Sequence, residues 1–370
     1  MSPSDPNWNP QEALARYASE MAALRAVYDN DGLFDWGDPR GEGPDLMARI
    51  VDAHADTGAR GLTWGCGNNL AWSYVPRVQE AWCDHVPQTQ AEDYHRLARR
   101  QRDWLDLGTS PLDVVAARAQ ERGLPVLAGF RLNRFMPEYG VESWWTANPD
   151  VHLSPASCPQ HPAQQSANLA LPEVRQHFVE SSLDVVARYP VAGLHLEFMR
   201  AIPFFERDEP DKAGHLLAFL RELRQGLDRI GQERGRRLEL SIWSGTEANY
   251  QVIRKGLFPP EFMRLEYHGI DLEGWIREGL VDRLMLSCWS APRGRRGPPL
   301  DPGPWAAMAR GTGTQVLGEI DNAADESEPH FLGEALQVIR QTAARCDGVY
   351  MFNCPPENLA RVLEGGGSRS

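Results

Sequence analysis

Three acidic residues stand where a chain of this pattern would present reactive groups: Glu197, Glu319 and Asp321. Glu197 lies in the run VAGLHLEFMR, residues 191 to 200. Strand alternation sends Leu194 and Leu196 one way and His195 and Glu197 the other. A Glu at a strand's end, beside Arg200, has the chemistry of a general acid, a base or a nucleophile. The bland alternative is a buried Glu–Arg pair closing the top of a barrel. Ionisable groups are costly in an interior and usually hold such places by function, which favours the reactive reading. In Val316-Leu317-Gly318-Glu319-Ile320-Asp321-Asn322, Glu319 and Asp321 alternate onto one face, and either supplies a second carboxylate. Asp321 also reads as a cap or turn residue. Two carboxylates are what glycosidic cleavage uses: one protonates the leaving oxygen, the other attacks or activates water.

Other polar and aromatic residues fall at the ends of apolar runs. Arg131 and Asn133 follow one run, Trp243 and Trp289 close two others, Asn353 follows the last, and Trp64 lies within the second. Tyr267 and His268 belong to a segment without a clear assignment. The chain has 12 tryptophans, several in long loops, such as Trp72, Trp82, Trp144 and Trp145. Flat aromatic faces stack on the apolar faces of sugar rings, while Asn, Arg and His bond hydroxyls. A single Trp is more often core than platform, so their concentration is the signal.

The elements that must position these residues repeat as strand then helix. Eight apolar runs read as strands: Arg25–Asp29, Gly61–Gly65, Pro125–Phe130, Ala192–Phe198, Leu238–Trp243, Arg283–Trp289, Val316–Ile320 and Gly348–Phe352. Several are continuously apolar, as in parallel strands covered on both faces. Between them, Leu216, Leu220, Leu223, Leu227 and Ile230 mark an amphipathic helix, and Leu332, Leu336, Ile339 and Ala343 another. Pro172 stands where a first helical residue would, and Ser110-Pro111 reads as an N-cap and first position. This alternation predicts a single (β/α)8 barrel over residues 1–364, α/β in class, with the tail GGGSRS, 365–370, disordered. Segments after strands are long, above all the second and third, and those before strands are short. In a barrel the former build the active face.

The net charge of −13 argues against nucleic acid, which calls for clustered Lys and Arg. The one basic cluster, Arg293, Arg295 and Arg296, lies among Gly and Pro and reads as a solvated loop. No run approaches the ~20 apolar residues of a membrane span. The first residues lack a basic start followed by an apolar stretch, so a cytoplasmic protein is expected. The 6 scattered cysteines fit reduced core thiols, and Cys83-Asp84-His85 is too short a triplet to define a metal site. There is no phosphate loop, no GxSxG and no HExxH, and no cofactor or metal is expected. A carbohydrate is the expected partner.

VAGLHLEFMR resembles the glycosyl-hydrolase-like barrel proteins of family ten and their bacterial relatives, in which an acidic residue follows a Gly-hydrophobic-His-hydrophobic stem. GIDLEGWIREGLVDRLMLS, residues 269 to 287, is similar to their helix leading into the sixth strand. Asp29-Asn30-Asp31-Gly32 matches some relatives at the first strand and brings Asp31 into the candidate substrate-binding set. The resemblance implies a TIM barrel and a glycoside hydrolase with Glu197 as the acidic fourth-strand residue. Two other readings stand beside it: a metal-dependent sugar isomerase or epimerase using Glu197, Asp321, His268 and Glu319 as ligands, and a sugar-binding barrel without catalysis.

Overall fold

The computed structural model describes residues 21–352 apart from 33–35, 134, 158–164, 200–202, 248–259, 288–300 and 322–339, together with residues 15, 18 and 19. Eight strands close into a barrel: β1 (Val27–Asn30), β2 (Gly61–Gly67), β3 (Val126–Phe130), β4 (Gly193–Glu197), β5 (Glu239–Ser244), β6 (Arg283–Leu286), β7 (Gln315–Asp321) and β8 (Gly348–Phe352). Each pairs in parallel with the next, and β8 returns to β1 through Val27 opposite Tyr350. The chain is a (β/α)8 barrel, as the alternation predicts. Every predicted strand is present, with ends moved by at most three residues and Gly348–Phe352 unchanged.

The helices lie outside this sheet: α1 (Gly43–Asp56), α2 (Glu92–Asp106), α3 (Pro111–Arg122), α4 (Ser143–Ala147), α5 (Pro172–Arg188), α6 (Lys212–Glu233), α7 (Leu272–Arg277) and α8 (Gly303–Ala309). The predicted stripe of α6 is its buried face, from Leu216 to Ile230. Its first turn is capped by Asp211, whose side chain accepts from Gly214 N at 3.2 Å. Pro172 and Pro111 occupy the first positions of α5 and α3, where the missing N–H has no helical partner in any case. Ser110 takes the N-cap position as expected, but its hydroxyl donates to the Asp113 side chain at 2.7 Å rather than bonding the helix backbone. The predicted helix through Leu332, Leu336, Ile339 and Ala343 lies largely outside the described residues, as do Arg293, Arg295, Arg296 and the tail.

The two ends of the barrel differ. At the amino ends of the strands, Arg283 pairs with Glu239 at 3.3 Å. At the carboxyl ends, the long segments after β2 and β3 fold against each other. The first carries the two-residue strands Leu70–Ala71 and Glu80–Ala81, a turn at Trp82–Asp84, and α2. The second carries the turn Pro137–Tyr139 and α4. The Trp82 indole donates to Tyr139 O at 2.9 Å, and Ser143 N donates to Glu80 at 2.5 Å. They form a packed wall on one side of the barrel mouth.

Candidate active site

Alternation along the strands decides which side chains enter the barrel. Asp29 pairs in register with Thr63, His195 with Ser241, Glu197 with Trp243 and Glu319 with Tyr350. All eight of these residues carry their side chains to the inside. Beyond β1, Asp31 reaches the same space because Gly65 has no side chain. A Cβ there would lie 2.0 Å from Asp31 O.

Glu197, Asp31, Asp29, His195, Arg131 and Trp243 converge on one small pocket at the carboxyl ends of the strands, about 20 Å3 in volume, room for about one water. Arg131 organises it. Its Nε donates to Glu197 Oε2 and its Nη2 to Asp31 Oδ1, so one guanidinium bridges two carboxylates. The Glu197 side chain is 5% exposed, Arg131 13% and Asp31 31%. The ring of Trp72, from the segment after β2, also faces the pocket, with the guanidinium 6.0 Å from its centre. Burial disfavours the charge on Arg131, but Glu197, Asp31 and Asp29 outweigh it and hold the guanidinium firmly protonated.

Beneath these groups a hydrogen-bonded row crosses the barrel. Ser241 Oγ lies 3.0 Å from His195 Nδ1, and His195 Nε2 lies 3.4 Å from the Tyr350 hydroxyl. That hydroxyl donates to Asp29 Oδ1 at 2.8 Å, and the Thr63 hydroxyl donates to the same oxygen at 2.5 Å. Asp29 Oδ2 is inaccessible and has no hydrogen-bond partner among the described residues. Loss of water raises the Asp29 carboxyl to about 7, helped by Asp31 and opposed by the Thr63, Arg131 and Tyr350 contacts. Burial pushes the His195 imidazole down to about 3; Glu197 opposes this and Arg131 adds to it. Burial also holds the Tyr350 hydroxyl well above its ordinary value, with the Asp29 charge adding to it.

The structure therefore gathers Glu197, His195, Arg131, Trp243 and Asp31 of the predicted set. Glu319 enters the barrel interior, 1% exposed, without lining this pocket. Asp321 ends β7, opposite Phe352, and its side chain lies outside the described ones. Three predicted residues sit elsewhere. Trp64 pairs with Ala128 on the outward face of the sheet, fully buried, its indole donating to Ser73 at 3.2 Å. Asn133, with φ of 70°, staples loops: its side chain donates to Pro203 O at 2.7 Å and accepts from Ala167 N at 2.6 Å. His268 packs between Phe262 and Tyr267 with Nε2 2.9 Å from Phe262 O. Arg200, Trp289 and Asn353 lie outside the described residues. Asp29, Thr63, Ser241 and Tyr350 belong to the site without having been singled out, and Trp72 was noted only as a loop aromatic. Among the described residues no three His, Cys, Asp or Glu side chains converge as a metal cluster. No described helix is long and apolar enough to cross a membrane.

No family model matches the chain, and no curated protein does. Solved structures with a related architecture include alpha-L-fucosidase isoenzyme 2 from Paenibacillus thiaminolyticus, at 12% identity and a TM-score of 0.47, covering 92% of this chain and 49% of that one. Chitinase ChiW from a Paenibacillus species aligns at 11% and 0.49, over 92% of this chain and 33% of that one. An old yellow enzyme homologue from Zymomonas mobilis aligns at 8% and 0.48, over 94% and 90%. The chain spans half or less of the fucosidase and chitinase chains. At these identities and TM-scores the likenesses say nothing of what this chain does.

Proposed function

We propose that the protein is a glycoside hydrolase acting at the pocket that Glu197, Asp29 and Asp31 line with Arg131. The observation that carries this reading is the convergence of carboxyl groups in unlike surroundings between two tryptophans, Trp72 and Trp243. Glu197 is ion-paired with Arg131, whereas Asp29, raised to about 7, carries a proton near neutral pH. Carboxyls divided in this way serve as nucleophile or base on one side and proton donor on the other. Glu197 is assigned the first role, and Asp29 takes the second in preference to Glu319, which does not line the pocket. The indole rings offer stacking faces for a sugar, and Asp31 and Arg131 offer groups for its hydroxyls.

Turnover of a panel of nitrophenyl glycosides carrying one to four sugars by the wild type, and its loss in Glu197→Gln, is the direct test. A wild type inert across the whole panel overturns the reading. One observation favours a second reading: Arg131 holds both Glu197 and Asp31, as a purely structural closure of the barrel top would. A sugar-binding barrel of that kind binds oligosaccharides in a titration and releases no product.

A further inference from the structure

The wall built after β2 and β3 encloses a second cavity of about 190 Å3, far larger than the pocket at Glu197. The two adjoin, because Trp72 and Arg131 line both. Trp82, Tyr94 and Tyr139 supply further aromatic surface, and Asn68 adds an amide. The rings are set at angles to one another: Trp82 and Tyr94 lie 6.3 Å apart at 64°, and Tyr94 and Tyr139 5.4 Å apart at 49°. The Trp82 ring is fixed by its bond to Tyr139 O. A concave, mostly aromatic site with a few polar groups is the form that small-molecule sites take.

The contrast in size has a chemical consequence. The pocket at the carboxylates takes about one water, whereas the adjoining cavity takes a ring. Among the described residues its walls carry no charge besides Arg131, whose guanidinium already meets two carboxylates, so the described lining favours a neutral ligand over an ionic one. A pyranose suits it. The apolar ring face stacks on Tyr94, Tyr139 or Trp82, and the hydroxyls reach the Asn68 amide and the guanidinium. We infer that this cavity is a binding subsite for a further pyranose ring of a substrate whose scissile bond lies at Glu197. The protein then acts on chains of two or more sugars. This inference rests on the glycoside hydrolase reading, and its test is built to fail separately.

The test titrates the intrinsic tryptophan fluorescence of Glu197→Gln protein with four tetrasaccharides (cellotetraose, xylotetraose, chitotetraose and maltotetraose) and with their monosaccharides. Tyr94→Ala and Tyr139→Ala are added singly in the same background, and thermal unfolding establishes that each variant folds. At least one tetrasaccharide is expected to bind about tenfold tighter than its monosaccharide, as one or two stacking contacts would give. Each tyrosine variant removes most of that gain and leaves monosaccharide binding within about twofold. The subsite is overturned if no tetrasaccharide gains over its monosaccharide, or if the gain survives both variants. Hydrolysis of the same four tetrasaccharides by the wild type separates the two ideas. Turnover without a length effect removes the subsite alone, and a length effect without turnover supports the subsite while removing the hydrolase reading.

Discussion

The Tyr350 hydroxyl donates to Asp29 Oδ1 at 2.8 Å, tying the last strand of the barrel to the first at the seam where the sheet closes. The contact places a donor against a carboxyl whose pKa desolvation has already raised to about 7. A raised carboxylate costs stability where it is forced to ionise. Between an ordinary value near 4 and about 7, the folded chain holds a proton at Asp29 that the unfolded chain has released, so this group's contribution falls as pH rises. Asp29→Asn, which keeps an acceptor for Tyr350, should therefore gain on the wild type by a few kcal/mol between pH 4 and pH 8. Denaturant unfolding at several pH values measures the difference, and a pH-independent difference would count against it.

Glu197→Gln should lower kcat by about 10³-fold, within the range of a lost acid, base or nucleophile, and should lower the unfolding midpoint too, because the buried Arg131 loses one of the two carboxylates it bridges. Arg131→Lys keeps a positive charge, but a single ammonium cannot reproduce the fork that meets Glu197 and Asp31 together. A fall in kcat/KM of about 10- to 100-fold is expected for it. Unchanged kcat/KM in Arg131→Lys would show that the bridge has no part in turnover.

Gly65→Ala tests how Asp31 is delivered. Its Cβ would meet Asp31 O, a backbone atom, at 2.0 Å, so the segment after β1 has to move. Overpacking of this kind costs about 1–3 kcal/mol. Activity should fall as well, although Glu197, Asp29 and Arg131 are unchanged, because Asp31 leaves Arg131. Melting curves and kcat/KM on one preparation read both effects.

The pH–rate profile separates Asp29 from His195. Protonated Asp29 is the proposed donor, so kcat/KM should decline as pH rises through about 7, and Asp29→Asn should remove that limb. The imidazole of His195, held down at about 3, stays neutral above that and adds no limb between pH 5 and pH 8. His195→Gln is expected to scale the profile without altering its shape. A limb near 6.5 that disappears in this variant would contradict the assignment.

The barrel was legible because strands such as β3 and β8 are continuous apolar runs, which only a sheet covered on both faces requires. The same property hid part of the site. In a strand buried on both sides, alternation shows that two faces exist but not which is inward, and Trp64 fell on the outer one. Tyr350 reads as core within GVYMF, since nothing local reveals that its hydroxyl meets Asp29 across the seam. Asp29-Asn30-Asp31-Gly32 has the composition of a turn, yet the strand continues to Asn30 and turns Asp29 inward. Glu197, by contrast, followed a stem whose alternation was clear, and the structure puts it and His195 in one pocket. Arg131 was visible as a strand-end residue, but its role as a bridge depends on β1, whose partners are 100 residues away.

The row linking Asp29, Tyr350 and His195 also governs how folding handles charge. Near pH 5, the unfolded chain carries an ionised Asp29 and a protonated His195, whereas the folded chain holds both groups neutral. The two forms bind the same number of protons at these positions, so folding discharges an anion and a cation together without drawing on the buffer. Each partner alone would tilt stability with pH, in opposite directions, and together they leave it level across mildly acidic conditions. The barrel interior thus behaves as a self-neutralising unit, and either single substitution should expose the slope that its partner had been cancelling.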